Sequence, residues 1–140
     1  MKVNFFKNLL ILIFFLNISN FLFADMVYFN EGKKLFKIKK YKDAKFKFEK
    51  DIVFNPKNEE SYLYLAKIFN KQNETILEEN NLNTVILLNP KNEEAIYYLA
   101  LLSIKKSDFS RAKKLIKKLD SVCVKLCLSK KELLKKIDNS

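Results

Sequence analysis

The sequence predicts an all-α protein: three tandem helical hairpins and a C-terminal capping helix, preceded by a signal peptide. Three observations carry this. First, Asn55-Pro56-Lys57-Asn58-Glu59-Glu60 returns unchanged as Asn89-Pro90-Lys91-Asn92-Glu93-Glu94, 34 residues later, and Tyr64-Leu65-Ala66 recurs as Tyr98-Leu99-Ala100. A fixed period of this size belongs to stacked supersecondary units, none of which can bury its apolar face alone. Second, Tyr62, Leu65, Ala66 and Phe69 fall at i, i+3, i+4 and i+7, one face of a helix, and Ala112, Leu115, Ile116 and Leu119 repeat the spacing. Third, one Gly and two Pro in 140 residues are few for a loop-rich or all-β chain, while a 49% hydrophobic content supports the core of one modest domain.

Residues 1–24 read as a secretory signal peptide. Lys2 and Lys7 supply the positive start, and Leu9 to Leu16 is an apolar run of eight, within the range of a signal core. A membrane-spanning helix needs about 20 such residues. Ala24 offers a cleavage point before Asp25, but Leu22 is larger than the small residue usual two positions upstream of it. Two outcomes therefore stand. Cleavage gives an exported protein of the periplasm or cell envelope, whereas an uncut segment from Phe5 to Ala24 gives an N-terminal membrane anchor. No cysteine near residue 24 could take a lipoprotein-type lipid.

The period divides the remainder into units 25–58, 59–92 and 93–126, with a capping helix over 127–140. A small residue recurs in the first half of each unit (Gly32, Ala66, Ala100), preceded by four residues by Tyr28, Tyr62 or Ile96. A bulky apolar residue sits late (Phe48, Leu82, Ile116). Small residues let two helix backbones approach, and their large neighbours fill the space around them. Pro56 and Pro90 cannot continue a helix interior and turn the preceding residue away from helical geometry. Asn58 and Asn92 then offer N-caps, and the Glu pairs after them sit in a first turn that favours negative charge, as solvated helix starts. In the tail, Ser129-Lys130-Lys131-Glu132 fits a capping box, with Leu133, Leu134 and Ile137 as the apolar stripe that covers the last hairpin.

These positions together resemble the tetratricopeptide repeat (TPR) family: the period, the small residues, the Tyr41/Ala44 and Phe109/Ala112 openings of second helices, and the closing Pro. The resemblance covers about residues 25–126 and implies an α-solenoid whose first helices line an inner groove. It assigns Phe29, Lys33 and Phe36, then Leu63, Lys67 and Asn70, then Tyr97, Leu101 and Ile104 to that groove. Such a lining suits an extended peptide or a helix from a protein partner, or a second copy of the chain. Some family members clamp the C-terminal carboxylate of cytosolic chaperones with Lys, Asn and Arg. The matching places here hold Phe29, Lys33, Tyr64, Glu94 and Tyr98, a set that does not supply the clamp. Three departures stand out. Glu78 replaces a small residue opposite Ala66, which predicts a splayed or shifted middle hairpin. Asp51 replaces a small residue late in the first unit, and Val124 replaces the closing Pro of the third.

Catalytic chemistry finds little support. The chain has no His, which removes His-based triads, bases and metal ligands, and its single glycine, Gly32, allows no Gly-rich phosphate loop. The paired carboxylates are adjacent, so on a helix they point about 100° apart. No cofactor is expected. Cys123 and Cys127 make a poor zinc site without further ligands. They either close a short non-helical turn as a disulfide or sit buried and reduced. The formal net charge is +11, concentrated in Lys33, Lys34, Lys37, Lys39, Lys40, Lys42, Lys45, Lys47 and Lys50 and again in Lys105, Lys106, Arg111, Lys113, Lys114, Lys117 and Lys118. In an exported chain this is a solvated face or a surface for anionic lipid, envelope polymer or acidic protein; nucleic acid is not expected. The reading is a non-enzymatic protein-interaction scaffold, the alternative a membrane-associated structural protein.

Overall fold

The computed structural model describes residues 27–139, so the signal segment and its cleavage point lie outside the described residues. Among the described residues there are seven helices and no strand: α1 (27–37), α2 (Tyr41–Phe54), α3 (Glu59–Gln72), α4 (Thr75–Leu88), α5 (Glu93–Lys105), α6 (Phe109–Val122) and α7 (Ser129–Asp138). They form three hairpins and a terminal helix. The chain divides into two compact units, one ending at Pro56 and one beginning at Lys57. No helix among the described residues is long and apolar enough to cross a membrane.

In the first unit α1 and α2 meet at Gly32. Phe48 is fully buried, and a Cβ on Gly32 would lie 2.7 Å from its ring. The ring occupies the space that a side chain at 32 would need. Phe29 packs on the same ring at 6.0 Å, and Glu31 pairs with Lys47 at 2.5 Å across the hairpin. Asp51 is fully buried, with its Oδ1 accepting from Asn55 Nδ2 at 3.4 Å.

The second unit is built from two successive apolar clusters. Leu63 and Ala66 of α3, Leu82 and Val85 of α4, and Ala95 and Leu99 of α5 form one. Ile96 and Ala100 of α5, Ile116 and Leu119 of α6, and Leu133 of α7 form the next. Helix α5 thus contributes to both, through faces set by its Ala95/Leu99 and Ile96/Ala100 pairs. Each fully buried Leu or Ile is worth about 1.5–3 kcal/mol. Leu133 and Ile137, one turn apart, seat α7 on this core, whereas Leu134 remains 38% exposed and faces away.

The middle hairpin is not splayed. Helices α3 and α4 pack at least as extensively as α5 and α6. Glu78 is taken into the interior at 2% exposure, and Asn70 turns inward so that its Nδ2 donates to Glu78 Oε1 at 2.9 Å. The carboxylate is accommodated by a buried hydrogen bond instead of by separating the helices. Burial pushes the Glu78 carboxyl above its ordinary range, against the opposite pull of the Asn70 bond and of Lys105. The adjacent Glu79 points the other way, to Lys106 at 2.8 Å and to Arg111, and these hydrogen bonds hold its carboxyl low.

Turns repeat as faithfully as helices. At the tip of each hairpin one non-glycine residue is left-handed: Lys39, Asn73 and Ser107, with φ of 60°, 59° and 58°. At the joints, Asn92 Oδ1 accepts from Ala95 N at 2.9 Å as an N-cap should, but the Asn58 side chain makes no such cap and donates to Ser61 Oγ instead. The Glu pairs are more than solvated helix starts. Glu59 Oε1 accepts from the side chains of Asn89, at 2.6 Å, and Asn92, at 3.3 Å, and so ties the start of one hairpin to the joint after it. Glu93 does the equivalent, its Oε2 accepting from the backbone N–H groups of Lys125, at 2.9 Å, and Leu126, at 2.8 Å. The expected capping box is absent from α7. Leu128 holds the N-cap place and Ser129 is already helical, so Ser129 cannot cap. Glu132 turns aside to Tyr97 and Lys136.

Candidate partner-binding site on α3 and α5

The N-terminal halves of α3 and α5, with Lys67 in the middle of α3, bring four polar and aromatic side chains together. Lys67 Nζ pairs with Glu94 Oε1 at 2.6 Å, lies 4.9 Å from the centroid of Tyr64 and 6.0 Å from that of Tyr98. A cation held over two rings and against one carboxylate is fixed in place without being removed from solvent. Tyr97 meets Tyr98 edge to face at 5.6 Å, and its hydroxyl donates to Glu132 of α7 at 3.5 Å. The arrangement follows from the period. Tyr64 and Tyr98 are the same place in successive units.

Next to this cluster a cavity of about 500 Å³ is lined by Lys91, Asn92, Glu93, Glu94, Tyr97, Tyr98, Lys125 and Leu126. One wall is the loop between α6 and α7, where Cys123 and Cys127 are joined by a disulfide with Cα atoms 5.2 Å apart. The loop is non-helical, and Glu93 holds two of its amides. Those amide bonds, foremost that of Leu126, hold the Glu93 carboxyl below its ordinary range. Burial foremost, with Glu60 and Glu94 adding to it, pushes the Tyr64 phenol up. Burial and then Glu94 do the same for Tyr98, and burial and Glu132 for Tyr97. All three phenols therefore keep their protons at neutral pH and remain donors. The site offers phenol donors, aromatic faces, two lysines at the cavity rim and two carboxylates. Among the described residues no group of three His, Cys, Asp or Glu could hold a metal ion.

No family model matches the sequence, and no curated protein matches it. Solved structures do. The first TPR domain of Spaghetti (RPAP3), bound to the HSP90 peptide SRMEEVD, superposes with a TM-score of 0.74 at 20% identity, covering 82% of this chain and 91% of that one. The TPR2B domain of yeast Sti1, in its complex with pHsp70, gives 0.76 at 16% identity over 82% and 96%. The Yersinia enterocolitica type III secretion chaperone SycD, in complex with a peptide of the translocator YopD, gives 0.69 at 12% identity over 80% and 88%. The fold is that of a tetratricopeptide-repeat domain.

Within the TPR frame the nine sequence-assigned groove residues have different fates. Lys67 stands in the cluster. Tyr97, Leu101 and Ile104 are half-buried against the core shared by α5, α6 and α7. Leu63 is 6% exposed and belongs to the core of α3, α4 and α5, so it packs instead of lining a groove. Asn70 is committed to Glu78. In the first unit Phe29 packs on Phe48 with Lys33 4.9 Å above its ring, and Phe36 packs edge to face on Tyr41 at 5.4 Å. The residues missing from that assignment are Tyr64, Glu94 and Tyr98. Their signal was the recurrence itself: Tyr64 returns as Tyr98 and Glu60 as Glu94, as strictly as Ala66 returns as Ala100.

Proposed function

We propose that this TPR chain is a non-enzymatic scaffold, exported to the cell envelope, that binds an extended segment of a protein partner across α3 and α5. The observation that carries this is the Tyr64–Lys67–Glu94–Tyr98 cluster beside an open cavity. Rigid aromatic surface with one fixed cation, one fixed anion and protonated phenols suits a peptide backbone and a side chain of mixed character. That chains of similar fold are found with peptides, the first TPR of RPAP3 with the HSP90 peptide SRMEEVD and SycD with a peptide of YopD, supports the reading. The residues at the clamp positions, Glu94 among them, argue against a terminal carboxylate as the ligand, since Glu94 would repel it.

The test is selection from a random peptide library with the chain as recovered from the cell envelope. Selected peptides should lose about tenfold or more in affinity when Tyr64 or Tyr98 is changed to Ala, the scale of an aromatic hot spot. Equal binding by both variants would place the site elsewhere. N-terminal sequencing of the recovered protein decides its attachment. A start at Asp25 fits export and cleavage, whereas a start at Met1 in the membrane fraction would replace it with the anchored form.

A further inference from the structure

The three hairpin tips share one backbone but not one chemistry. At the α3–α4 tip the left-handed residue and the N-cap after it are Asn73 and Glu74; at the α5–α6 tip they are Ser107 and Asp108, and Asp108 Oδ1 caps α6 by accepting from Arg111 N at 3.0 Å. At the α1–α2 tip the same two places hold Lys39 and Lys40, and no side chain caps α2. Neither choice serves the local structure. A left-handed residue is best Gly or Asn. An N-cap is best Asp, Ser or Asn, and a cation there opposes the helix dipole. Four lysines, Lys37, Lys39, Lys40 and Lys42, stand exposed at this tip, and none of them pairs with a carboxylate among the described residues.

At the centre of those lysines Ile38 is 63% exposed, where the other tips carry Gln72 and Lys106. The outer face of α2 adds two more exposed apolar side chains. Lys42, Phe46, Glu49 and Val53 share one face, with Phe46 54% and Val53 75% exposed and Lys50 Nζ 4.8 Å over the Phe46 ring. The equivalent places on α6 are Ser110, Lys114, Lys117 and Ser121. The acids on this side of α2 are Asp43 and Glu49, and Glu49 is paired with Lys45 at 3.6 Å.

From this we infer that the α1–α2 tip is a docking element for an anionic lipid surface, with Ile38 and Phe46 entering the headgroup layer and Lys37, Lys39, Lys40 and Lys42 pairing with lipid phosphates. An apolar plug ringed by cations fits a bilayer interface, where apolar burial and headgroup attraction act together. A nucleic-acid phosphate chain or an acidic peptide would use the lysines but would leave the plug and the Phe46–Val53 stripe without a partner.

The chain contains no tryptophan, so Ile38→Trp makes the tip its own fluorescent reporter, whatever residues 1–24 do. The full chain carrying this change is titrated with phosphatidylcholine vesicles, with and without phosphatidylglycerol. Emission should move to shorter wavelength only with phosphatidylglycerol, and the movement should vanish at about 1 M salt, where the Debye length is about 3 Å. Gln72→Trp, the same place on the α3–α4 tip, should not respond. Each lysine at a membrane surface is worth about fivefold, so adding K37Q, K39Q, K40Q and K42Q should raise the half-saturating lipid concentration on the order of 10²–10³-fold. K40Q alone should raise it about fivefold, with helicity by circular dichroism confirming the fold in each case. Equal emission in both vesicle types, an equal response from Gln72→Trp, or the same shift produced by polyglutamate or duplex DNA without phosphatidylglycerol would each overturn the inference.

Discussion

Asn70 and Glu78 in the second hairpin stand where, 34 residues on, the third hairpin has Ile104 and Ala112. The first has Phe36 and Ala44 in these places. In the third hairpin Ala112 is fully buried and Ile104 packs on the α5–α6–α7 core; in the second, an amide and a carboxylate meet at 2.9 Å in a comparably buried place. One backbone template accepts either a large apolar residue with a small one, or a matched polar pair. What it does not accept is half of the polar pair. Oε2 of Glu78 is already buried without a hydrogen-bond partner among the described residues, so the whole arrangement rests on Asn70.

Removing that support is the strongest way to break the comparison. Asn70→Ala strands a buried carboxylate and should cost about 3 kcal/mol in urea unfolding at neutral pH, within the range for an orphaned charged group. The loss should shrink in acid, where the carboxyl is neutral. A cost at or below about 0.5 kcal/mol, the scale of an indifferent surface change, would mean that the polar pair is decorative. Transplanting the third hairpin's solution is the next test. The double change Asn70→Ile with Glu78→Ala should leave the protein as stable as before or stabilise it by about 1–2 kcal/mol, because a buried charge gives way to apolar packing. A lower melting temperature would show that the second hairpin has shaped its surroundings to the polar pair.

The smallest effect sharpens the electrostatics. The folded-state pKa of Glu78 is raised above the 4.5 of an unperturbed glutamate, so the folded state binds its proton more tightly than the unfolded chain does. Its contribution to stability is fully present below that unperturbed value and is lost as pH rises through the raised one. Glu78→Gln keeps an acceptor for Asn70 without the charge. It should therefore gain about 1 kcal/mol over the parent at neutral pH and nothing at a pH well below 4.5. Parallel stability–pH curves for the two proteins would refute this.

The hairpins, their small-residue crossings and their joints were legible because period and spacing are properties of the chain itself. Residues whose meaning depends on which way a side chain turns were less so. Asn70 looked like a groove amide, yet it turns inward because Glu78 is buried on the facing helix α4. Glu78 looked like a wedge because burial of a carboxylate is costly until its partner is known. Leu63 falls in the core because three helices converge on it, which a single-helix pattern does not register. Ser129 had the composition of a cap but not the backbone position. The candidate cluster was visible only in part: Lys67 was singled out, while Tyr64, Glu94 and Tyr98 were seen only as a clamp that the chain lacks.

Glu59 lies in one copy of the repeated phrase, and its partners Asn89 and Asn92 lie in the next. The unit between them therefore carries a head that accepts, Glu59, and a tail that donates, Asn89 and Asn92, as a monomer does in condensation chemistry. Residues 59–92 have the ends of a unit that could be inserted again and again, each insertion consuming one complementary pair of ends and presenting another. The loop closed by Cys123 and Cys127 acts as the chain stopper. It satisfies Glu93 with two backbone amides and, in place of a new donor pair, hands the chain to α7. The head-to-tail pairing of the repeated phrase thus ends at one loop, where two backbone amides stand in for the next pair of asparagines.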